Sequence, residues 1–350
     1  MTLSHVRIIG SGLIGTSIGL GLALKGVGVT MVDSDLRAQA LASDLVKSPT
    51  SAPVDLTIFA TPLGAVHSLL DSEFATNPES AFIDIGSVKS KVKVEVSTSA
   101  IPSTRFLPTH PMAGREMGGA ESARADLFQG RAWIIDSQGV DQEVTGRAAL
   151  LIEILGAHLV DLDSGEHDKA VALISHLPQL VSSLLAKQLI GGEASWLELA
   201  GAGLRDTTRI AASDAKLWRE IIAANRDSLE PLLKSLHADL GSLINSLSDE
   251  NAVATLIEEG QAGRARIPGK HGGKAREYTY LPIVIEDKPG QLAALFDECA
   301  NASVNIEDLS IEHSPGQFTG LITLALSDSD AKKLTDHLKS HGWSVHSPRQ

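Results

Sequence analysis

Along the first half of the chain, short apolar runs alternate with longer segments whose apolar positions recur at helical spacing. Val6–Ile9, Val29–Val32, Leu56–Ala60, Ala81–Ile85 and Trp133–Ile135 are near-continuous apolar runs bounded by Gly, Pro, Asp or Ser. Leu13–Leu24 and Leu36–Val46 lie between them with helical patterning. Apolar strands separated by helices predict an α/β unit whose parallel sheet is doubly wound, with helices on both faces. From about Ser164 only the 3.6-residue period remains. Val171, Ile174, Leu177, Leu180, Val181, Leu184 and Leu185 share one stripe. Helical patterning continues through Leu217–Ile222, Leu229–Leu247 and Ala252–Ile257. So apolar a stripe either fills the unit's own core or is buried against the first domain or a second copy of the chain.

Gly260–Lys274 breaks the periodicity with glycines and basic residues and reads as a linker. Beyond it the pattern predicts a strand at Tyr278–Ile285, a helix at Gln291–Ala302 and strands at Asn305–His313 and Gly320–Leu326. A helix at Ala331–His341 and a last strand at Trp343–His346 complete a βαββαβ order.

Composition narrows the function classes. The 350 residues fit two or three domains at ~150 residues each. With 30 Lys plus Arg against 43 Asp plus Glu, the net charge is −13. So acidic a chain is a poor polyanion binder, which disfavours nucleic acid and membrane surfaces as partners. A single cysteine, Cys299, excludes a disulfide framework and a Cys-based zinc cluster. Met1–Val6 lacks a secretory layout, and no apolar run approaches the ~20 residues of a membrane span. The expectation is a cytoplasmic protein.

Gly10-Ser11-Gly12-Leu13-Ile14-Gly15 follows the first predicted strand and opens a helix. In that setting the first glycine permits the tight turn, the second lets a pyrophosphate approach the backbone, and the third allows close helix–strand packing. The helix N-terminus adds partial positive charge. Asp33 ends the second strand, near the spacing expected of a ribose-binding acid. Its charge would repel a 2′-phosphate and so favours NAD, although Arg37 nearby leaves NADP open. Ala60-Thr61-Pro62 and Gly86-Ser87 follow the third and fourth strands, where doubly wound sheets carry ligand-contacting loops. The predicted division is a Rossmann-type unit at residues 1–163, an all-helical unit at 164–262, a linker at 263–276 and a small α/β unit at 277–350.

A nicotinamide cofactor needs a partner that accepts the proton while hydride leaves carbon. His110, placed in a loop beyond a strand around Arg105–Leu107, suits that task; a solvated histidine is the plainer alternative. Arg205 and Arg209 are spaced i, i+4, so on one helix they would share a face and could grip carboxylates. Ion pairs to Asp206 or Asp214 on a surface helix are the alternative. No His/Asp/Glu spacing suits a metal.

Taken together, several motifs resemble the prephenate/arogenate dehydrogenase family of tyrosine biosynthesis. They are Gly10–Gly15, Asp84–Lys89, His110–Glu116, Ser175-His176-Leu177-Pro178, Arg205–Trp218 and Ile267–Gly272. The resemblance implies oxidative decarboxylation: hydride passes from a ring carbinol to NAD⁺, a proton is lost, and carbon dioxide departs as the ring becomes aromatic. Aromatisation drives the step without a metal. By family position, His110 would take the hydroxyl proton and Ser87 would hold the hydroxyl or the imidazole. Arg209 would bind a substrate carboxylate with help from Arg205 and His176. Glu116 and Asp206 would form an ionic gate, and Trp218 a wall. Gln179 stands where many prephenate-using members carry a histidine, and a neutral amide tolerates arogenate. The resemblance further implies a homodimer through the helical unit.

The last segment resembles an ACT domain. Asp287, Pro289, Gly290, Gln291 and Leu292 would form its first strand-to-helix turn, and Asn305 and Ile306 would open its second strand. That implies an amino-acid effector site, with tyrosine the leading effector and a ligand-free dimerisation module the alternative. Two other readings stand beside the dehydrogenase: a β-hydroxyacid dehydrogenase using a lysine such as Lys169 or Lys187, and a non-catalytic regulator that senses dinucleotide and amino acid.

Overall fold

The computed structural model describes residues 2–115, 117–267, 278–312 and 318–348. It divides into two compact units, Met1–Leu240 and Gly241–Gln350.

The first unit begins with β1 (His5–Ile9), α1 (Leu13–Ala23), β2 (Gly28–Val32), α2 (Leu36–Val46), β3 (Leu56–Phe59) and α3 (Leu63–Thr76). It continues through β4 (Ala81–Asp84), α4 (Lys89–Ser97), β5 (Phe106–Pro111), β6 (Ala132–Ile135), α5 (Gln142–Ile154) and β7 (His158–Asp161). The seven strands form one sheet in the order β2-β1-β3-β4-β5-β6-β7. Alternate residues of each strand point to opposite faces. Ile8, Ile58 and Ile83 therefore pack with Ile18 and Leu22 of α1 and Ala148 and Leu151 of α5. Their neighbours Ile9, Phe59 and Phe82 pack on the other face with Val66 and Leu70 of α3 and Val92 of α4.

Two expectations are corrected. The sheet is mixed rather than wholly parallel: β6 runs antiparallel to β5, and β7 follows β6. His110 lies inside β5, opposite Ile134, and not in a loop. Pro108 and Pro111 read as strand breakers, but β5 bonds to β4 through its first half and to β6 through its second.

The strand order reverses between β1 and β3, which opens a crevice at their carboxyl ends. Gly10 there has φ +112°, and a Cβ on it would strike the Ala60 carbonyl oxygen. A Cβ on Gly15 would strike the Gly10 carbonyl oxygen, whereas one on Gly12 would meet nothing within 4 Å.

The helices that follow are α6 (Ser164–Val171), α7 (Leu177–Gln188), α8 (Ala194–Leu197), α9 (Ala202–Thr208), α10 (Ala215–Ala224), α11 (Arg226–Asn245) and α12 (Glu250–Ala265). Ala172–His176 joins α6 to α7 as a single π-helical turn. Pro178 explains it: proline has no N–H to offer Ile174, and its ring would clash with that carbonyl in a regular helix. The stripe predicted on this segment is internal core only in part: Val171 is 1% exposed, but Ile174 is 62% and Leu184 53% exposed, as is the nearby Ile190 at 84%. The continuous run Ser164–Gly191 has a mean hydropathy of 1.3 in its most apolar window, long and apolar enough to span a membrane. The sequence expectation missed it because Asp168, Lys169 and Lys187 interrupt the run. The linker expectation is also shifted. Helix α12 runs through Gly260 and Gly263 to Ala265, capped by Asp249, and residues 268–276 lie outside the described ones.

In the second unit, β8 (Thr279–Glu286), α13 (Gln291–Asn301), β9 (Asp308–Glu312), β10 (Thr319–Leu326), α14 (Asp328–Ser340) and β11 (Ser344–Val345) give the predicted βαββαβ order. Its sheet runs β11-β8-β10-β9, with Leu281, Ile283, Leu324, Leu295 and Leu334 among the core. Gly290, at φ +90°, forms the turn into α13. Asn305 and Ile306 precede β9 instead of opening it, and the Asn305 amide donates to Glu307. Glu298, His337 and His341 bring ligand-type atoms within 4.8 Å of one another. That grouping spans two helices, so linear spacing did not display it.

The glycine geometry makes a stability prediction. Gly15→Ala forces a backbone shift costing about 1–3 kcal/mol and lowers Tm by roughly 5 °C. Gly12→Ala leaves Tm essentially unchanged, as thermal unfolding followed by circular dichroism will show.

Candidate active site

Two cavities of the first unit meet at His110. One, of about 440 Å³, runs from Gly12, Leu13 and Ile14 past Ala60, Thr61 and Pro62 to Ser87, His110 and Trp218. The other, of about 810 Å³, continues from Ser87, His110 and Trp218 to His176, Gln179 and Arg209. The β1–α1 turn thus opens one end, the α9–α10 region closes the other, and His110 stands between them.

The crevice fits a dinucleotide. Ser11 Oγ and Thr61 Oγ1 are buried there with no hydrogen-bond partner among the described residues, and buried hydroxyls ordinarily have one. The space over Gly12 leaves its backbone open to approach. Asp33 ends beside the glycine turn, where its carboxylate accepts from the Ser11 N–H at 2.6 Å and the Asp35 N–H at 2.9 Å.

His110 is held from behind. Its Nδ1 lies 2.9 Å from His167 Nε2, and His167 Nδ1 lies 2.8 Å from Asp168 Oδ1. Asp168 also accepts the backbone N–H groups of Lys89 at 2.8 Å and Ser90 at 2.9 Å. Beneath lies Lys89, whose ammonium donates to Asp84 Oδ2 and to the Thr109 carbonyl, each at 2.5 Å. Burial, and then the Lys89 charge, hold the His110 imidazole well below its ordinary pKa. The ring is therefore neutral, and able to accept a proton, at neutral pH.

His176, at the end of the π turn, is buried and pushed down to about 4, chiefly by desolvation. The Asn225 amide lies 3.1 Å from His176 Nδ1 and donates to the Asp168 carbonyl at 2.7 Å. With its other nitrogen occupied, His176 can offer Nε2 to the cavity. Trp218 stands edge-on to the His176 ring at 5.9 Å between centroids.

The remaining predicted residues divide. Gln179 lines the larger cavity, but its amide is engaged: Nε2 donates to the Ile210 carbonyl at 2.9 Å and Oε1 accepts from Ser213 at 3.3 Å. Arg209 lines the same cavity. It begins a 3₁₀ turn, Arg209–Ala212, so it does not share a helical face with Arg205 on α9. Arg205 and Asp206 are exposed and line neither cavity. Glu116 lies outside the described residues. Lys89 closes the Asp84–Lys89 motif but the sequence assigns it no role, and His167, Asp168 and Asn225 stand in none of the motifs. An adjacent His-Asp pair on a helical pattern reads as a polar surface until the fold places it.

Comparison with known proteins agrees with this layout. Residues 20–161 match the family description "prephenate dehydrogenase, nucleotide-binding domain", and residues 163–258 match "prephenate dehydrogenase, dimerization domain". The chain is 30% identical to the probable prephenate dehydrogenase NovF of Streptomyces niveus, over 97% of this chain and 99% of that protein. It is 25% identical to the prephenate dehydrogenase of Bacillus subtilis, over 94% of this chain and 93% of that one. The solved prephenate dehydrogenase of A. aeolicus, in complex with hydroxyphenyl propionate and NAD⁺, superposes at a TM-score of 0.66 and 23% identity. That match covers 77% of this chain and 99% of that one.

The depressed His176 pKa sets a pH prediction. The unfolded chain takes up a proton near ~6.5 that folded His176 refuses until about 4. Its contribution to stability is therefore full above that upper value and is lost as pH falls towards the lower one. Tm measured across this window falls, and the fall is shallower in His176→Gln.

Proposed function

The chain belongs to the prephenate dehydrogenase family, and from that premise we propose that it oxidises and decarboxylates prephenate or arogenate with NAD⁺. The single observation that carries this reading is the placement of His110 at the junction of a dinucleotide crevice and an arginine-bearing cavity. When bound, NAD⁺ supplies the hydride acceptor.

Gly10–Gly15 and Thr61 hold the pyrophosphate side, and Asp33 faces the adenosine ribose, which favours NAD over NADP. Ser87 and His110 meet the ring hydroxyl. Neutral His110 accepts the hydroxyl proton as the carbon–hydrogen bond breaks, and loss of carbon dioxide then makes the ring aromatic. Arg209 binds a carboxylate with His176 beside it, and Trp218 walls the ring. Gln179 spends its amide on the 3₁₀ turn that carries Arg209, so it acts on the substrate through Arg209. It places no charge at that end, consistent with either a keto or an ammonium side chain. Arg205, Asp206 and Glu116 belong to the family's gate by position alone.

Two further parts of the reading concern assembly and control. The exposed apolar side chains of Ile174, Leu184 and Ile190 fit a homodimer formed through the helical unit. The βαββαβ unit resembles an ACT domain, with Asp287, Pro289, Gly290, Gln291, Leu292, Asn305 and Ile306 around an aromatic amino-acid effector, tyrosine first.

NADH formation assayed with each substrate, with and without tyrosine, tests the whole. The wild type turns over at least one substrate. His110→Asn loses roughly 10²–10⁴-fold in kcat, and Arg209→Ala raises KM far more than it lowers kcat. Turnover undiminished in His110→Asn overturns the mechanism. Tyrosine inhibition persisting unchanged in an Asp287→Ala, Asn305→Ala double variant overturns the effector site.

A further inference from the structure

We propose that His167 and Asp168 are positioning residues that hold His110 in the one tautomer able to accept a proton and stabilise the charge it gains. This deepens the reading of His110 as the base, and it rests on the direction of each hydrogen bond in a chain of three side chains.

Asp168 fixes the direction. Its two oxygens accept the N–H groups of Lys89 and Ser90, at 2.8 and 2.9 Å. Those residues open α4, where unsatisfied N–H groups and the helix dipole favour an anion. An ionised carboxylate only accepts, so the His167 nitrogen 2.8 Å away, Nδ1, must carry the hydrogen. A neutral imidazole has one donor and one acceptor. His167 Nε2 is then the acceptor, and the bond of 2.9 Å to His110 must come from His110 Nδ1–H. That leaves the lone pair of His110 on Nε2. The His110 and His167 rings meet at 77° with centroids 5.1 Å apart, edge to face and not stacked. His167 is fully buried, so no solvent competes for either of its nitrogens.

The step balances simply. The substrate O–H bond breaks and an N–H bond forms at His110 Nε2. No proton moves on to His167 or Asp168, and His110 keeps its Nδ1–H bond throughout. The imidazolium formed lies one ring from the Asp168 carboxylate, which favours it. The Lys89 ammonium opposes that charge, and the His167 and His176 rings would oppose it only if they were themselves protonated.

Three full-length proteins test this: wild type, His167→Phe and His167→Gln. Imidazole nitrogen NMR on histidine-labelled wild type shows His110 protonated at Nδ1, and His167→Phe loses that preference. In His167→Phe, kcat falls about 10–100-fold with KM little changed. The acid limb of kcat/KM moves to lower pH because the proton on His110 is no longer favoured. His167→Gln, whose carbonyl still accepts from Nδ1–H, recovers part of the loss. A wild-type His110 protonated at Nε2 overturns the proposal. So do equal losses in both variants with the acid limb unmoved, which mark a merely structural role. Failure of the wild type to oxidise either substrate would count against the proposed reaction instead, and the NMR result would still decide the tautomer.

Discussion

The buried Lys89–Asp84 pair holds together the parts on which the rest of the site depends. Lys89 is 1% exposed and Asp84 not at all. Removing both charges from water is expensive, and the contact alone does not return that cost. Burial accordingly pushes the Asp84 carboxyl up and the Lys89 ammonium down. What offsets the penalty is the density of hydrogen bonds. Asp84 also accepts from Gly86 N–H at 2.9 Å and Thr109 N–H at 3.2 Å, while Lys89 also donates to the Thr109 carbonyl. Thr109 is held in turn by Trp133, whose indole N–H donates to its hydroxyl at 3.0 Å. These bonds lock the end of β4, the start of α4 and the middle of β5 together. Ser87 and His110 are carried on those same segments.

The same corner receives the helical elements. Asp168 on α6 seats on the first turn of α4, and Asn225, between α10 and α11, reaches both the Asp168 carbonyl and His176. Two carboxylates thus hold the start of α4, Asp84 through the Lys89 ammonium and Asp168 through the backbone. Docking of α6 on the sheet domain and alignment of the base are one event, because the residue that docks is the residue that orients His167. Pro178 adds the last constraint by widening one turn, which brings His176 round to the cavity.

Much of this was legible along the chain and some was not. The glycine turn, most strands of the sheet and the βαββαβ order follow from local pattern, because strand and helix periods differ and glycine turns are local. His110 was singled out, yet its strand was ended at Leu107 instead of running on to Pro111, since two prolines outweigh a short apolar run when pairing partners are unknown. β7 escaped for a related reason: its four residues are exposed, so it carries no apolar signature. Gly260 and Gly263 each weaken a helix by about 1 kcal/mol relative to alanine, which reads as a break, but an aspartate cap and a long flanking helix outweigh them. The Arg205–Arg209 spacing misled because a change from α to 3₁₀ geometry at Arg209 re-aims the second side chain. His167 meets His110 and Asn225 meets Asp168 across 57 residues, while Asp168 meets Lys89 across 79, and no periodicity encodes such separations.

A weak base suits this reaction. Burial and Lys89 lower the proton affinity of His110, so in the mechanism proposed above the ring stays unprotonated over the working range but attracts the hydroxyl proton less strongly. A reaction driven only by that proton transfer would be slow with such a base. Here hydride departure makes the hydroxyl acidic, and decarboxylation to an aromatic ring makes the sequence irreversible, so availability of the base matters more than its strength. The overall charge of −13 gives anionic ligands no long-range assistance. Attraction is therefore left to groups at the cavity wall, Arg209 on one side and the N-terminal turn of α1 on the other.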